Sequence, residues 1–326
     1  MTLKLQKSTL TTAKYGKDGV KILRIVRNDQ WHEIAEYTIT VLLEGDISAS
    51  YTEADNSGMS QFLLINIEFS MTTVIVTTDS IKNTINVFAQ NSQHVLQPET
   101  FALELGLHFV TKYSHIKKAH VDLLKHRWTR ICPTSENGQP HGHSFRRDGD
   151  DKRVVNAIVD ASGGVDNITI DLKAGLKDVF LLKSTGSSFN NFINDEFTTL
   201  RETDDRVFST VVDCIYSLVI PQANSRCFTI ADVAKTPLDD IAESVRNVTL
   251  DTFAVDFSES VQTTLYTMAE RIIEQNDLVK DVSYKLPNKH YIPIDLTFYQ
   301  EKGATNDVLL PTEFPSGLIT ATVSRV

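Results

Sequence analysis

The chain has 326 residues, 41% of them hydrophobic, and a formal net charge of −10. That length suits two domains better than one core, and the composition is that of a folded globular protein. The acidic balance argues against nonspecific nucleic-acid binding, and no apolar run approaches the roughly 20 residues of a membrane helix.

No charged-then-apolar leader opens the chain, so secretion is not expected. Cys132, Cys214 and Cys227 are a sparse, odd set that fits free thiols in a reducing compartment. There is no GxGxxG, phosphate-loop, HExxH or CxxC motif.

In chain order, Val20–Val26 and Tyr37–Leu43 read as paired strands, and Val74–Val76 as a short strand. A helix follows Thr78-Asp79-Ser80, with Ile81, Ile85 and Phe88 at helical spacing. Pro98 suits the first turn of a second helix carrying Leu103, Leu107 and Val110. Ala119, Val121 and Leu123 alternate, giving a strand that ends near His126–Arg130. The polar, Gly-rich stretch Ser135–Lys152 reads as a connection, which predicts domains at 1–152 and 153–326.

The second half repeats the plan. Strands are expected at Ile168–Leu172, Val179–Lys183 and Val207–Ile215, and a helix at Leu238–Phe253. Another helix is expected from an N-cap at Ser258, bearing Val261, Leu265, Met268 and Ile272. A strand then leads into Leu286-Pro287-Asn288-Lys289-His290. Alternation puts Asn288 and His290 on one face, continued by Ile292, Ile294, Leu296 and Phe298. Pro293 lacks an N–H and predicts a bulge or edge position. The economical architecture is α+β, two copies of an antiparallel sheet with two helices on one face.

Few single residues declare a chemistry. An amide and an imidazole side by side at Asn288 and His290 could meet a small polar ligand. The helix start at Val261 and Gln262 offers free backbone N–H groups to an anion. Taken alone, Thr78 and Asp79 read as helix caps, Arg206 as a surface ion pair, Lys17 as a turn lysine and Phe189 as core. His141 and His143 could place two metal ligands on one strand face, with His115, His120 and His126 nearby, but the spacing lacks the tighter sets of zinc sites.

The ordered segments together resemble the urate oxidases, or uricases, of fungal and yeast type. They include Tyr15-Gly16-Lys17-Asp18, Ser50–Ser57, Thr78–Thr84, His126-Arg127-Trp128, Leu182-Lys183-Ser184-Thr185, Arg206 with Ser209-Thr210, Ser260-Val261-Gln262 and Leu286–Tyr291. The resemblance runs over nearly the whole chain. It implies tandem tunnelling-fold (T-fold) domains, antiparallel sheets with helices on one face, whose barrels close by oligomerisation into a homotetramer with sites between subunits. It also implies oxidation of urate by O2 and water to 5-hydroxyisourate and hydrogen peroxide, with no metal or organic cofactor. Carried over by motif, Phe189 stacks on the purine, while Arg206, Gln262 and the Val261 N–H hold its edges. Thr78 and Asp79 reach in from a neighbouring subunit. Lys17, Thr78 and His290 form a proton relay, and Thr78 and Asn288 face the O2 position.

The chain departs from that pattern in places. Gly58–Thr73 is an atypical insertion just ahead of Thr78, readable as a loop extension or as a translated in-frame intron. Val211 stands where the family usually has aspartate. The C-terminal Ser324-Arg325-Val326 only partly matches a peroxisomal signal, so a peroxisomal location rests on the family and a cytosolic one is the alternative. Two competing readings follow. One is a catalytically impaired or non-catalytic purine-binding T-fold protein, disabled by the insertion. The other is a metal-dependent pterin or purine enzyme using His141 and His143.

Overall fold

Alternation along Trp31–Gly45 makes a half-buried strand. Ala35, Tyr37, Ile39, Val41 and Leu43 are all buried, and the residues between them are partly exposed. Residues two apart share a face, so one side of this strand meets the core. A computed structural model of the chain describes residues 8–53, 56, 75–220, 229–299 and 307–326. The insertion at 58–73 and Cys227 lie outside the described residues. The chain divides into two compact units. One draws on Met1–Arg147, Val155–Leu172 and Ile220–Thr236, the other on Asp148–Val154, Lys173–Val219 and Pro237–Val326.

In the first unit β1 (Tyr15–Asn28) pairs antiparallel with β2 (Trp31–Gly45), and β2 pairs with a strand at Ile116–His126, β3. The β1–β2 turn is two residues long, with Asp29 in the left-handed region at φ 48. A short helix α1 (Ser48–Thr52) follows β2. Helices α2 (Thr78–Asn91) and α3 (Pro98–Lys112) pack on β1 and β3 respectively. α2 buries Ile81, Ile85 and Ala89, one stripe at helical spacing, with Phe88 only partly covered. α3 buries Phe101, Leu103, Leu105 and Phe109, each worth about 1.5–3 kcal/mol on removal from water. The Tyr37 ring lies 5.9 Å from Phe101, and its hydroxyl donates to Val95 O. Gly106 has no side chain because a Cβ there would stand 2.6 Å from Val159 Cγ2.

The connection after β3 holds a two-residue ribbon, β4 (Thr129–Arg130) with β5 (Phe145–Arg146), and is otherwise irregular apart from one 3-10 turn at Thr134–Glu136. Strands β6 (Lys152–Asp160) and β7 (Thr169–Lys183) contribute residues to both units.

In the second unit β8 (Phe208–Leu218) pairs with β9 (Val279–Lys289). The other side of β9 pairs with a C-terminal strand at Gly317–Ser324, labelled β12 below. A short helix α4 (Ile230–Ala234) belongs to the first unit. Helix α5 (Leu238–Val255) packs on α6 (Val261–Gln275), and α6 on β9 and β12. A small ribbon, β10 (Tyr291–Pro293) with β11 (Leu309–Pro311), precedes β12. Each unit thus carries an antiparallel ladder with two packed helices, as the duplicated plan requires. No helix among the described residues is long and apolar enough to cross a membrane.

Several boundaries differ from expectation, for local reasons. Ile75–Thr77 form no strand, because Thr77 already caps α2 and the Val76 N–H donates to Tyr15 Oη at 2.8 Å. The two strands expected at 168–172 and 179–183 are one strand, β7. Gly175 and Asp178 hid its continuity: a Cβ at Gly175 would stand 2.0 Å from Cys214 O, and Asp178 takes φ 62 while its N–H donates to Asp213. β6 and β12 had no expected counterpart; most of β12 is exposed, so no apolar alternation marks it.

Candidate active site

A cavity of about 1050 Å3 in the second unit is lined by Phe189, Arg206, Asn288, His290, Leu309 and Thr312, among others. Four residues singled out by sequence therefore meet at one recess. Its charged lining is Arg201, Arg206 and Lys289 with the carboxylates of Asp205 and Asp307, and of these cations Arg206 stands against the Phe189 ring. Its guanidinium has no carboxylate partner among the described residues; its Nε reaches Ser187 Oγ at 3.5 Å, and its Cζ lies 5.1 Å from the Phe189 ring. Burial lowers its pKa, yet an arginine stays charged in proteins. The surface ion pair expected of an isolated arginine is absent. A half-buried, unpaired guanidinium beside an aromatic face suits a flat anion.

Two backbone segments hold this pair. Phe189 N–H donates to Thr203 O and Thr203 N–H to Phe189 O, at 2.9 and 3.2 Å. Arg206 N–H donates to Ser187 O at 2.8 Å. The Asp205 carboxylate accepts from Thr185 Oγ1 at 2.7 Å and Gly186 N–H at 3.0 Å. The Phe189 ring is only partly buried, not a core side chain, and stacks on Phe192 at 5.0 Å.

Asn288 lies near the end of β9, opposite Thr210 on β8 and Gly317 on β12. His290 sits just past the strand, exposed, and its carbonyl accepts from Thr312 N–H and Oγ1 at 2.9 and 3.0 Å. The long apolar stripe expected beyond it does not form. β9 stops at Lys289, residues 294–299 are not strand, and Ile292 and Phe298 are 52% and 85% exposed. Pro293 closes β10 in a two-stranded ribbon, where every strand is an edge, as expected.

Val261 and Gln262 open α6 but do not line the cavity. The cap is Ser260, which accepts from Thr263 N–H at 3.0 Å, and not Ser258. Ser258 is buried and does other work. Its N–H donates to Gly186 O and its carbonyl accepts from Ser188 N–H, both at 2.9 Å, while its Oγ accepts from Thr264 Oγ1. The segment leading to Val261 is thereby tied to the one that carries Phe189.

Lys17, Thr78 and Asp79 belong to the first unit. Lys17 is on β1 beside an irregularity between Lys17 and Val20, where Gly19 takes φ 67. Thr78 is exposed in the first turn of α2. Thr77, not Thr78, is the cap, accepting from Ser80 N–H at 3.1 Å, which leaves the Thr78 hydroxyl free of that duty. Asp79 is exposed and accepts from Lys82 Nζ at 2.6 Å and Asn83 at 2.9 Å. The Lys82 bond holds its carboxyl below the usual range, with a smaller push from the charge of Lys17.

The histidines make other contacts. His120 meets Glu44 at 2.7 Å, His126 meets Thr38 Oγ1 at 2.8 Å, and the His141 and His143 rings lie 4.4 Å apart. Among the described residues no three His, Cys, Asp or Glu side chains are grouped to hold a metal ion. Cys132 is exposed; Cys214 is buried in β8, and burial pushes its thiol up to about 12.

Sequence reasoning missed Ser187, Asp205 and Thr312, which tie distant segments together through backbone and side-chain bonds. It read Thr210 only as part of a motif; its buried hydroxyl has no hydrogen-bond partner among the described residues. The glycine at 186, which takes φ 77 in the structure, marks the Thr185–Gly186 turn in the sequence.

A family model described as Uricase matches residues 13–158 and 172–320. A uricase from Emericella nidulans is 40% identical over 326 residues, 98% of each chain. One from Aspergillus flavus is 41% identical over 324 residues, 98% of this chain and 97% of its own. The crystal structure of uricase from Arthrobacter globiformis superposes with a TM-score of 0.80 at 30% identity, covering 98% of this chain and 96% of that one. These matches agree with the α+β tunnelling-fold expectation. The chain belongs to the uricase family, the urate oxidases.

Proposed function

We propose that this chain oxidises urate with O2 and water, giving 5-hydroxyisourate and hydrogen peroxide. The observation that carries the reading within the structure is the unpaired, half-buried Arg206 guanidinium 5.1 Å from the Phe189 ring, at the wall of a cavity of about 1050 Å3. Urate is a flat, electron-rich anion, so it can lie on the ring and turn an oxygen-bearing edge to the guanidinium. By the family motif, Gln262 and the Val261 N–H take the remaining edge; they stand at the positive end of α6, outside the lining of this cavity.

The substrate itself supplies the two electrons that reduce O2 to peroxide. The protein therefore holds the anion, removes its proton and positions O2 and water, without metal or organic cofactor. Lys17, Thr78 and His290 form the relay that takes the proton from urate and delivers protons to peroxide. Asn288 and Thr78 face the position taken first by O2 and then by the attacking water. That water adds one oxygen to the purine, so urate, O2 and water balance hydroxyisourate and peroxide.

Thr78 and Asp79 reach the cavity from a neighbouring copy, in a homotetramer whose barrels close by assembly. By the motif pattern the domains are 1–152 and 153–326, although the first compact unit also takes Val155–Leu172 and Ile220–Thr236. A peroxisomal location rests on the family and the partial Ser324-Arg325-Val326 signal.

The test is urate consumption by the purified chain, with peroxide measured in parallel. One peroxide per urate, unchanged after exhaustive chelation, is expected. No consumption by a folded, tetrameric chain overturns the reading, and activity lost on chelation and restored by metal overturns its cofactor-free part.

A further inference from the structure

The two walls of the cavity lie on segments far apart in sequence, and a flat substrate requires them at one separation. Phe189 ends the segment that begins at Thr185, and Arg206 ends the segment that begins at Thr203. Backbone bonds join them at Phe189/Thr203 and at Ser187/Arg206. Between those joints stands Asp205, whose side chain turns back to the other segment. Its two oxygens accept from Thr185 Oγ1 and Gly186 N–H, and the Ser187 and Arg206 N–H groups add to the field that holds the charge. Thr203 Oγ1 in turn donates to the Asp205 carbonyl at 2.7 Å. Gly186, at φ 77, has no side chain to hold its own turn, and the carboxylate fixes its N–H instead. Ser258 docks on the same residues, Gly186 and Ser188, so the path to Val261 and Gln262 starts from this turn as well.

We propose that Asp205 is a positioning residue for urate, a carboxylate clasp that sets the Phe189 ring and the Arg206 guanidinium at the separation a purine needs. This rests on the urate reading above. Asp204, next in the chain, carries the same charge but takes only the Asn190 side-chain amide at 2.9 Å. Charge alone therefore does not distinguish the two acids; contacts do. Asp205→Asn keeps the shape but puts an N–H2 donor where one oxygen now accepts from a donor.

The experiment measures urate binding without O2, so that no turnover occurs, together with aerobic kcat and KM and the melting temperature. Asp205→Asn is expected to weaken binding and lower kcat/KM by roughly 10- to 100-fold, the scale of a misplaced binding group, with Tm nearly unchanged. Thr185→Val, which removes a single bond at the surface, is expected to shift binding in the same direction by a smaller factor. Asp204→Asn is expected to match the parent chain. Arg206→Gln separates the two levels of the argument. If it loses urate binding while Asp205→Asn and Thr185→Val keep it, the clasp is wrong and the urate site stands. If Arg206→Gln also binds urate normally, the site reading fails and takes the clasp with it. Equal losses in Asp204→Asn and Asp205→Asn would reduce the effect to net charge and overturn the positioning role.

Discussion

The two units carry their proposed site residues in opposite styles. In the second, Phe189, Arg206, Asn288 and His290 converge on a recess, with an aromatic face and a guanidinium partly withdrawn from water. In the first, Thr78 and Asp79 stand exposed on the opening turn of α2, and Lys17 sits beside the irregular start of β1. Recognition needs walls, because shape and desolvation give a charged contact its strength. In the proposed relay, proton transfer needs a hydroxyl and an amine that reach the substrate; Thr78 is exposed and Lys17 partly exposed in the first unit. Thr77 makes this possible by taking the capping bond that Thr78 would otherwise make. A recess on one copy and a patch on another are complementary parts of the proposed intersubunit site.

Mutations can break this division of labour. Lys17→Met and Thr78→Ala are each expected to slow turnover by at least ~100-fold, the scale of lost acid–base catalysis, while urate still binds without O2. Arg206→Gln is expected to do the reverse, losing about 1.5–3 kcal/mol of substrate binding, the worth of a hydrogen bond to a charged group. Stopped-flow turnover beside anaerobic titration reads both. If Lys17→Met weakens binding as much as Arg206→Gln, the contrast between patch and recess collapses.

How far the sequence revealed this arrangement depended on whether a feature was local. Strands β2 and β3 and helices α2, α5 and α6 follow from apolar spacing, because each buries one regular stripe; β1 and α3 also lie where the sequence puts them, though β1 buries only Val20 and α3 is buried on most sides. β7 looked like two strands because Gly175 and Asp178 serve contacts to β8 that only the folded sheet reveals. Arg206 is the sharper case. Beside Glu202, Asp204 and Asp205 it reads as one member of a surface ion pair. In the fold those acids bond to Asn191, Asn190 and the Thr185–Gly186 turn, so Arg206 is left unpaired. Its candidacy came from motif order across the chain and not from its neighbours. Ser258 and Ser260 show the limit of boundary reading: both suit a cap, and only the Thr263 N–H selects Ser260.

The helix starts allow a finer test of the same comparison. Thr77 caps α2 on the patch side and Ser260 caps α6 on the recess side. Alanine at either position is expected to cost about 1 kcal/mol, a fall of roughly 2–4 °C in Tm for units of this size. Thr77→Ala carries a second consequence. With the cap gone, Thr78 becomes the nearest hydroxyl for the exposed N–H groups, so turnover is expected to fall further than stability explains. Thr77→Ser, which restores a capping oxygen, is expected to recover both. Equal kinetic losses in Thr77→Ala and Ser260→Ala would remove the special role of the freed Thr78 hydroxyl.

The smallest expected effect concerns Thr210, fully buried on β8 opposite Asn288, with a hydroxyl that has no hydrogen-bond partner among the described residues. A buried polar group left unsatisfied carries its desolvation cost, and replacing it with an apolar group of the same shape is neutral or favourable. Valine has that shape. Thr210→Val is therefore expected to raise stability by up to about 1 kcal/mol, where most core substitutions lower it. Equilibrium unfolding in urea measures this directly, with the slope unchanged. A loss of stability would mean that the hydroxyl is hydrogen-bonded in solution. Its place directly across from Asn288 makes the oxygen-side water the natural partner, and the recess would then extend one strand deeper than its lining residues indicate.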